Sequence, residues 1–149
     1  MAANTGKTNA RYIAVSIDDI GDAARVITPS VTDISSVGLD YATQDVTAYS
    51  DGVINFTLGH PSAEIDITGP LNNTADIGGH VVFSAISNAP YSQDSYTLTV
   101  QFGIRAVPAA GDPEFEGEYT LQSYTVNGDA TYTARLVPAT GTAPAWGTV

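Results

Sequence analysis

Between Tyr96 and Ile104 the chain alternates without a break: Tyr96, Leu98, Val100, Phe102 and Ile104 are apolar, with Thr97, Thr99 and Gln101 between them. Successive side chains of a strand point to opposite faces, so the pattern describes a strand with one face buried and the other wet. Shorter segments repeat it. Ile13, Val15 and Ile17 alternate over Tyr12 to Ile17, Ile54, Phe56 and Leu58 over Val53 to Leu58, and Ala63, Ile65 and Ile67 over Ala63 to Thr68. Asp45 to Tyr49 is β-prone and ends at the turn Ser50-Asp51-Gly52. Gly59-His60-Pro61-Ser62 suits a hairpin loop between its flanking strands. Gly117 to Val126 and Ala130 to Val137 pair about Asn127-Gly128-Asp129, where Asn-Gly accepts positive φ.

One helix is predicted, from Asp76 to Ser87. Thr74 can cap it, Asp76 favours its start, and Ile77, Val81 and Ala85 fall four apart with Val82 and Ile86 beside them. Gly78-Gly79 costs about 2 kcal/mol of intrinsic propensity, so packing must hold this helix in place. A single helical turn is expected over Ser30 to Ser36, with Ser30 as its cap and Val31 and Ile34 three apart. Residues 1–10 and 138–149 read as arms. The expected fold is mostly β: a β-sandwich or barrel-like structure with one short flanking α-helix, about residues 76–87, and extended terminal arms or loops. A length of 149 residues, 43% of them apolar, with no internal repeat or shift in composition, predicts one domain over 1–149.

Five Lys and Arg stand against sixteen Asp and Glu, a net charge of −11, yet only 14% of the residues are charged. The acidity comes from missing bases. So few cations cannot neutralise many phosphates, which excludes a surface built to grip nucleic acid. The absence of cysteine excludes disulfides, thiolate metal sites and thiol nucleophiles. No signal peptide is expected at the polar opening MAANTGKTNA, and no apolar run is long enough to span a membrane.

Candidate chemistry fails on its own requirements. Gly6-Lys7-Thr8 lacks the first glycine of a phosphate-binding loop, since Met1 stands there. His60 and His80 have no further ligands at zinc spacing. Asp18, Asp19 and Asp22 lack the alternate spacing and closing acid of a calcium loop. Asp112, Glu114, Glu116 and Glu118 alternate along one extended edge with no opposing acid, as a glycosidase pair would need, and suit a solvated or interface role instead. No Gly-x-Ser-x-Gly elbow or dinucleotide fingerprint occurs. No catalytic, cofactor-binding or metal-binding residues are therefore expected, and no cofactor.

A β domain with polar arms suits an assembling subunit, because sheet edges can close on neighbouring copies in a ring. Stacked rings would make a tube, and carboxylates on one sheet would make its bore negative, so that DNA does not stick. Asp45, Asp51, Glu64 and Asp66 are the candidates to face such a lumen. Glu114, Phe115, Glu116 and Trp146 are the candidates for contacts between subunits.

The runs Val46-Thr47-Ala48-Tyr49-Ser50-Asp51-Gly52, Leu58-Gly59 and Ile65-Asp66-Ile67-Thr68-Gly69-Pro70-Leu71 resemble phage tail tube proteins. So do the helix that follows, Phe115-Glu116-Gly117-Glu118, the hairpin from Tyr124 to Arg135, and Pro144-Ala145-Trp146-Gly147. The likeness covers roughly residues 40 to 149. It implies the major tail protein of a long non-contractile-tailed phage: a virion structural protein that self-assembles into stacked, hexameric homo-oligomeric rings. Its implied partners are itself, a tape-measure protein and other tail proteins, with DNA passing through unbound during ejection and no membrane contact. The implied location is the virion tail, after assembly in the host cytoplasm. Two other readings stand beside it, a capsid decoration or head–tail joining protein and a secreted Ig-like or carbohydrate-binding module.

Overall fold

The computed structural model describes residues 6–104 and 106–149; the first half of the expected N-terminal arm lies outside them. The described residues are mostly β with one α-helix. Its strands are β1 (Ile13–Asp18), β2 (Ala24–Val26), β3 (Asp33–Ile34), β4 (Asp40–Asp45), β5 (Phe56–Ser62), β6 (Ile65–Pro70), β7 (Tyr96–Phe102), β8 (Pro113–Val126), β9 (Thr131–Pro138) and β10 (Ala145–Thr148). Helix α1 (Gly79–Asn88) lies between β6 and β7.

Eight strands form one antiparallel sheet in the order β2-β1-β7-β8-β9-β6-β3, with β10 also paired to β8. The path is open, so the sheet does not close into a barrel. β8 is long enough, at 14 residues, to serve two sets of neighbours. Its first half pairs with β7 and β10, and its second half with β9. The alternation read at Tyr96 is realised: Tyr96, Leu98 and Val100 are buried and the threonines between them face outward. Ile65 and Ile67 from β6, Tyr119 from β8 and Leu136 from β9 join the same core.

Helix α1 covers this apolar face with Val82, Phe83 and Ile86. Phe83 packs on the rings of Tyr124 and Tyr132, so the helix shields the second half of β8. The first half is shielded by β10, whose Trp146 meets Phe115 edge-on at 5.0 Å. Residues 145–148 of the expected C-terminal arm are thus a strand of the sheet.

Several boundaries differ from the sequence expectation, each for a physical reason. The helix starts at Gly79, and neither Thr74 nor Asp76 caps it. The cap comes from far away: the Gly79 N–H donates to Ser30 Oγ at 2.8 Å. Ser30 closes a short 3-10 turn over Thr28–Ser30, and the residues beyond it form β3 rather than helix because β6 offers them a ladder. β4 lies before Val46 rather than at Asp45 to Tyr49. The Gly59–Ser62 segment is strand, not loop. β5 and β6 therefore do not pair with each other; β5 pairs with β4, and β6 with β3 and β9.

The β8–β9 turn forms where Asn127-Gly128 placed it, but Ala130 carries the left-handed strain, with φ 61°. An L side chain there costs about 1–2 kcal/mol. Ala130→Gly is expected to stabilise the fold by about 0.5–1 kcal/mol, after the entropic cost of glycine is subtracted. Urea denaturation checks this; a lower midpoint for the variant would show that the turn is not strained.

Candidate functional site

Among the described residues the β4–β5 hairpin pairs with no other strand. Every residue of β4 is exposed, and of β5 only Pro61 is partly covered. Ile54, Phe56 and Leu58, whose alternation suggests a half-buried strand, are 67%, 56% and 61% exposed. Tyr49 at the tip and Val53 beside it are exposed as well. A hairpin alone in water is marginal, and contiguous apolar exposure of this kind marks an interaction surface.

The loop between the strands is nevertheless ordered by its own side chains. Asp45 Oδ1 accepts from the Thr47 N–H at 2.9 Å and its hydroxyl at 2.6 Å. Thr47 Oγ1 in turn accepts from the Asn55 N–H at 2.8 Å, bridging the two sides. The Thr47 hydroxyl and N–H hold the Asp45 carboxyl below its ordinary range. Asp51 Oδ2 accepts from the Ala48 N–H at 2.9 Å. The arm is thus a shaped element carrying apolar side chains into solvent.

The second surface is the wet face of the large sheet. Register sets Thr97 opposite Glu118, Thr99 opposite Glu116 and Gln101 opposite Glu114. Each carboxylate accepts a hydrogen bond across the strands: from Thr97 Oγ1 at 2.8 Å, from Thr99 Oγ1 at 3.2 Å, and from Gln101 Nε2 at 2.8 Å. Ser95 Oγ also donates to Glu118, at 2.8 Å. Neutral donors hold the row in place while leaving its charge intact. Asp18, whose carboxyl is raised by burial, accepts from the Thr97 N–H at the same edge. Asp66 is paired with Arg135 at 3.2 Å.

The acids named from sequence fall into two groups. Asp45 and Asp51 belong to the hairpin, whereas Glu64 and Asp66 flank or occupy β6 on the large sheet. Glu64 stands near the Tyr119 hydroxyl, which burial first and this charge second push up to about 12; the hydroxyl donates to the Ala63 carbonyl at 2.9 Å. Glu114 and Glu116 lie with Glu118 on the wet face. Phe115 points the other way and has no exposed surface, so within the chain it is a core residue. Trp146 is 52% exposed over it.

Asp112 is buried rather than part of the row. Its Oδ2 accepts from the Ala109 N–H at 2.9 Å and bends the chain into β8. Among the described residues no three His, Asp or Glu converge as a metal site. His80 Nδ1 sits 2.8 Å from the Tyr124 hydroxyl, and no described helix is long and apolar enough to cross a membrane. The hairpin could be found in sequence only as apolar alternation; nothing in that pattern distinguishes an intramolecular partner from an intermolecular one.

No protein-family model and no curated protein matches the chain. Solved structures do. A chain in the virion of a native gene transfer agent particle superposes with a TM-score of 0.66 at 15% identity, over 95% of this chain and 100% of that one. A chain in the tail of an empty gene transfer agent particle, with C6 symmetry, gives 0.64 at 16% identity, over 96% and 99%. The sheath/tube terminator of an extracellular contractile injection system gives 0.64 at 15% identity, over 98% and 100%. At such identities the fold is what is shared.

Proposed function

We propose that this chain is a structural subunit of a phage-like tail, assembling into rings that stack as a tube. The observation that carries the reading is the β4–β5 hairpin: an ordered arm that presents Ile54, Phe56 and Leu58 to solvent gains stability only when a neighbouring copy covers it. The fold shared with tail components supports the same reading. The ring is proposed as a hexamer, and its other partners as a tape-measure protein and further tail proteins.

The wet face of the sheet is the proposed lumen wall. Its Glu114, Glu116 and Glu118 row, with Glu64 and Asp66, would repeat in every subunit and keep the bore negative, so that DNA slides without specific binding. Asp45 and Asp51 lie on the hairpin, so their part in the lumen depends on where the arm runs in the assembly. Trp146 stays a proposed contact and the arm joins it, while Glu114 and Glu116, candidates for contacts by sequence, are proposed for the lumen wall and Phe115, with no exposed surface, for the core. One of the similar structures belongs to a contractile system, so the fold does not select the non-contractile tail implied by the sequence resemblance.

Negative-stain microscopy of the concentrated protein tests the proposal, with rods enclosing an open lumen as the expected result. Single rings that never stack would instead favour a terminator, the role stated for one of the similar structures. A protein that stays monomeric at all concentrations would remove the reading.

A further inference from the structure

We infer that the hairpin of one copy docks into the open seam of the next copy's sheet, between β1 and β3. This inference rests on the tube reading and names the surface that receives the arm. The seam exists because the sheet path ends at β2 on one side and β3 on the other without closing. β2 covers only Ser16 to Asp18 of β1, and Val15 turns its backbone to Ile27 and Thr28, so that among the described residues the start of β1 has no strand neighbour on that side. What remains is a groove of about 380 Å³, walled by Ile13 from β1 and by Val31 and Ile34 from the opposite side. Both walls are apolar and half-buried, as a seat for apolar side chains requires.

Charge selects the occupant. In a chain of net charge −11, two copies repel nearly everywhere. Arg25 is paired with Asp19 and Asp76, and Arg135 with Asp66. Lys7 and Arg11 are, among the described residues, the cations outside any ion pair, and Arg11 lines the groove. The arm from Asp40 to Ser62 carries three aspartates and neither lysine nor arginine. An acidic arm with an apolar face thus meets an apolar groove with a cationic rim. Asp33 on the opposite wall orients it, because the arm's acids must enter from the Arg11 side. The contact is head-to-tail: each copy gives an arm and offers a groove, so it either closes a ring or continues from ring to ring.

The absence of cysteine makes the test clean. Val53→Cys on the arm is combined in turn with Arg11→Cys, Thr32→Cys or Asp33→Cys at the groove. A control pair joins Val53→Cys to Thr142→Cys at the smaller cavity beside Pro138 and Pro144. Assembled protein is treated with a short bismaleimide and resolved on a denaturing gel. A ladder of multimers from at least one groove pair, absent from the control and from the single variants, is the expected result. Rods that form normally but give no ladder with any groove pair overturn the docking site and leave the tube reading standing. If the unmodified protein forms neither rods nor rings, the tube reading falls and takes this inference with it.

Discussion

Gly69→Ala should leave little folded protein, with stability lowered by about 4 kcal/mol or more, a large part of a typical domain's total. Gly69 is buried in β6, and a Cβ there would overlap the Ser30 carbonyl oxygen and stand 2.8 Å from its carbon and 3.2 Å from Val31 Cα. These are backbone atoms, so no side-chain rotation relieves the clash. The turn at Ser30 would have to move, and it is fixed from two more directions. The Tyr132 hydroxyl donates to the Ser30 carbonyl at 2.6 Å, and the Gly79 N–H donates to Ser30 Oγ at 2.8 Å. Burial pushes the Tyr132 hydroxyl far up its scale, so it remains a proton donor across the working pH range. Stranding two buried polar groups costs about 1–3 kcal/mol each, before any packing is lost. Ser30→Ala removes the hydroxyl that caps Gly79 and donates to the Ile77 carbonyl at 3.4 Å, keeps the Ser30 carbonyl, and serves as the graded comparison, with an expected loss of about 1–2 kcal/mol. Urea denaturation of both variants checks the ranking; a Gly69→Ala midpoint at or above that of Ser30→Ala would mean the backbone there yields.

That junction also marks where sequence reading stops. The strands of the large sheet were legible at Ile13, Ile65, Tyr96, Gly117 and Thr131 because each alternates against a core. The Asn127-Gly128 turn was legible because its chemistry is local. The cap on α1 was not, since Ser30 and Gly79 are 49 residues apart and meet only once β3, β6 and α1 are in place. Val31 and Ile34 satisfied a helical spacing, yet over so few residues β6 decided the outcome by offering hydrogen bonds. The acids divide in the same way. Of the four acids read as one row, Glu114, Glu116 and Glu118 share a face while Asp112 is buried, and the row's partners on β7 depend on register. For Asp45 and Asp51 the sequence carried no sign that the strand beside them leaves the sheet.

Phe56→Asp should abolish assembly while leaving the subunit folded. Phe56 is 56% exposed and joins no core contact, so the substitution is expected to change unfolding free energy by no more than about 0.5 kcal/mol. In a covered interface the same change places a charge against apolar side chains. Losing one central contact of this kind costs about 2 kcal/mol, roughly thirtyfold in each association constant. Every copy would use the contact twice, once as donor and once as acceptor, so growth fails at each step rather than at one. Thr57→Asp is the internal control, because neighbouring residues of a strand face opposite ways. It adds the same charge to the same exposed strand, so a smaller effect isolates the apolar face from net charge. Light scattering at rising concentration reads assembly, and thermal melting of the dilute protein reads the fold. Phe56→Asp forming rods at the wild-type threshold would show that the arm is not the contact. A collapse of its melting transition would show that the hairpin supports its own subunit, and that its exposed face has a structural rather than an assembling role.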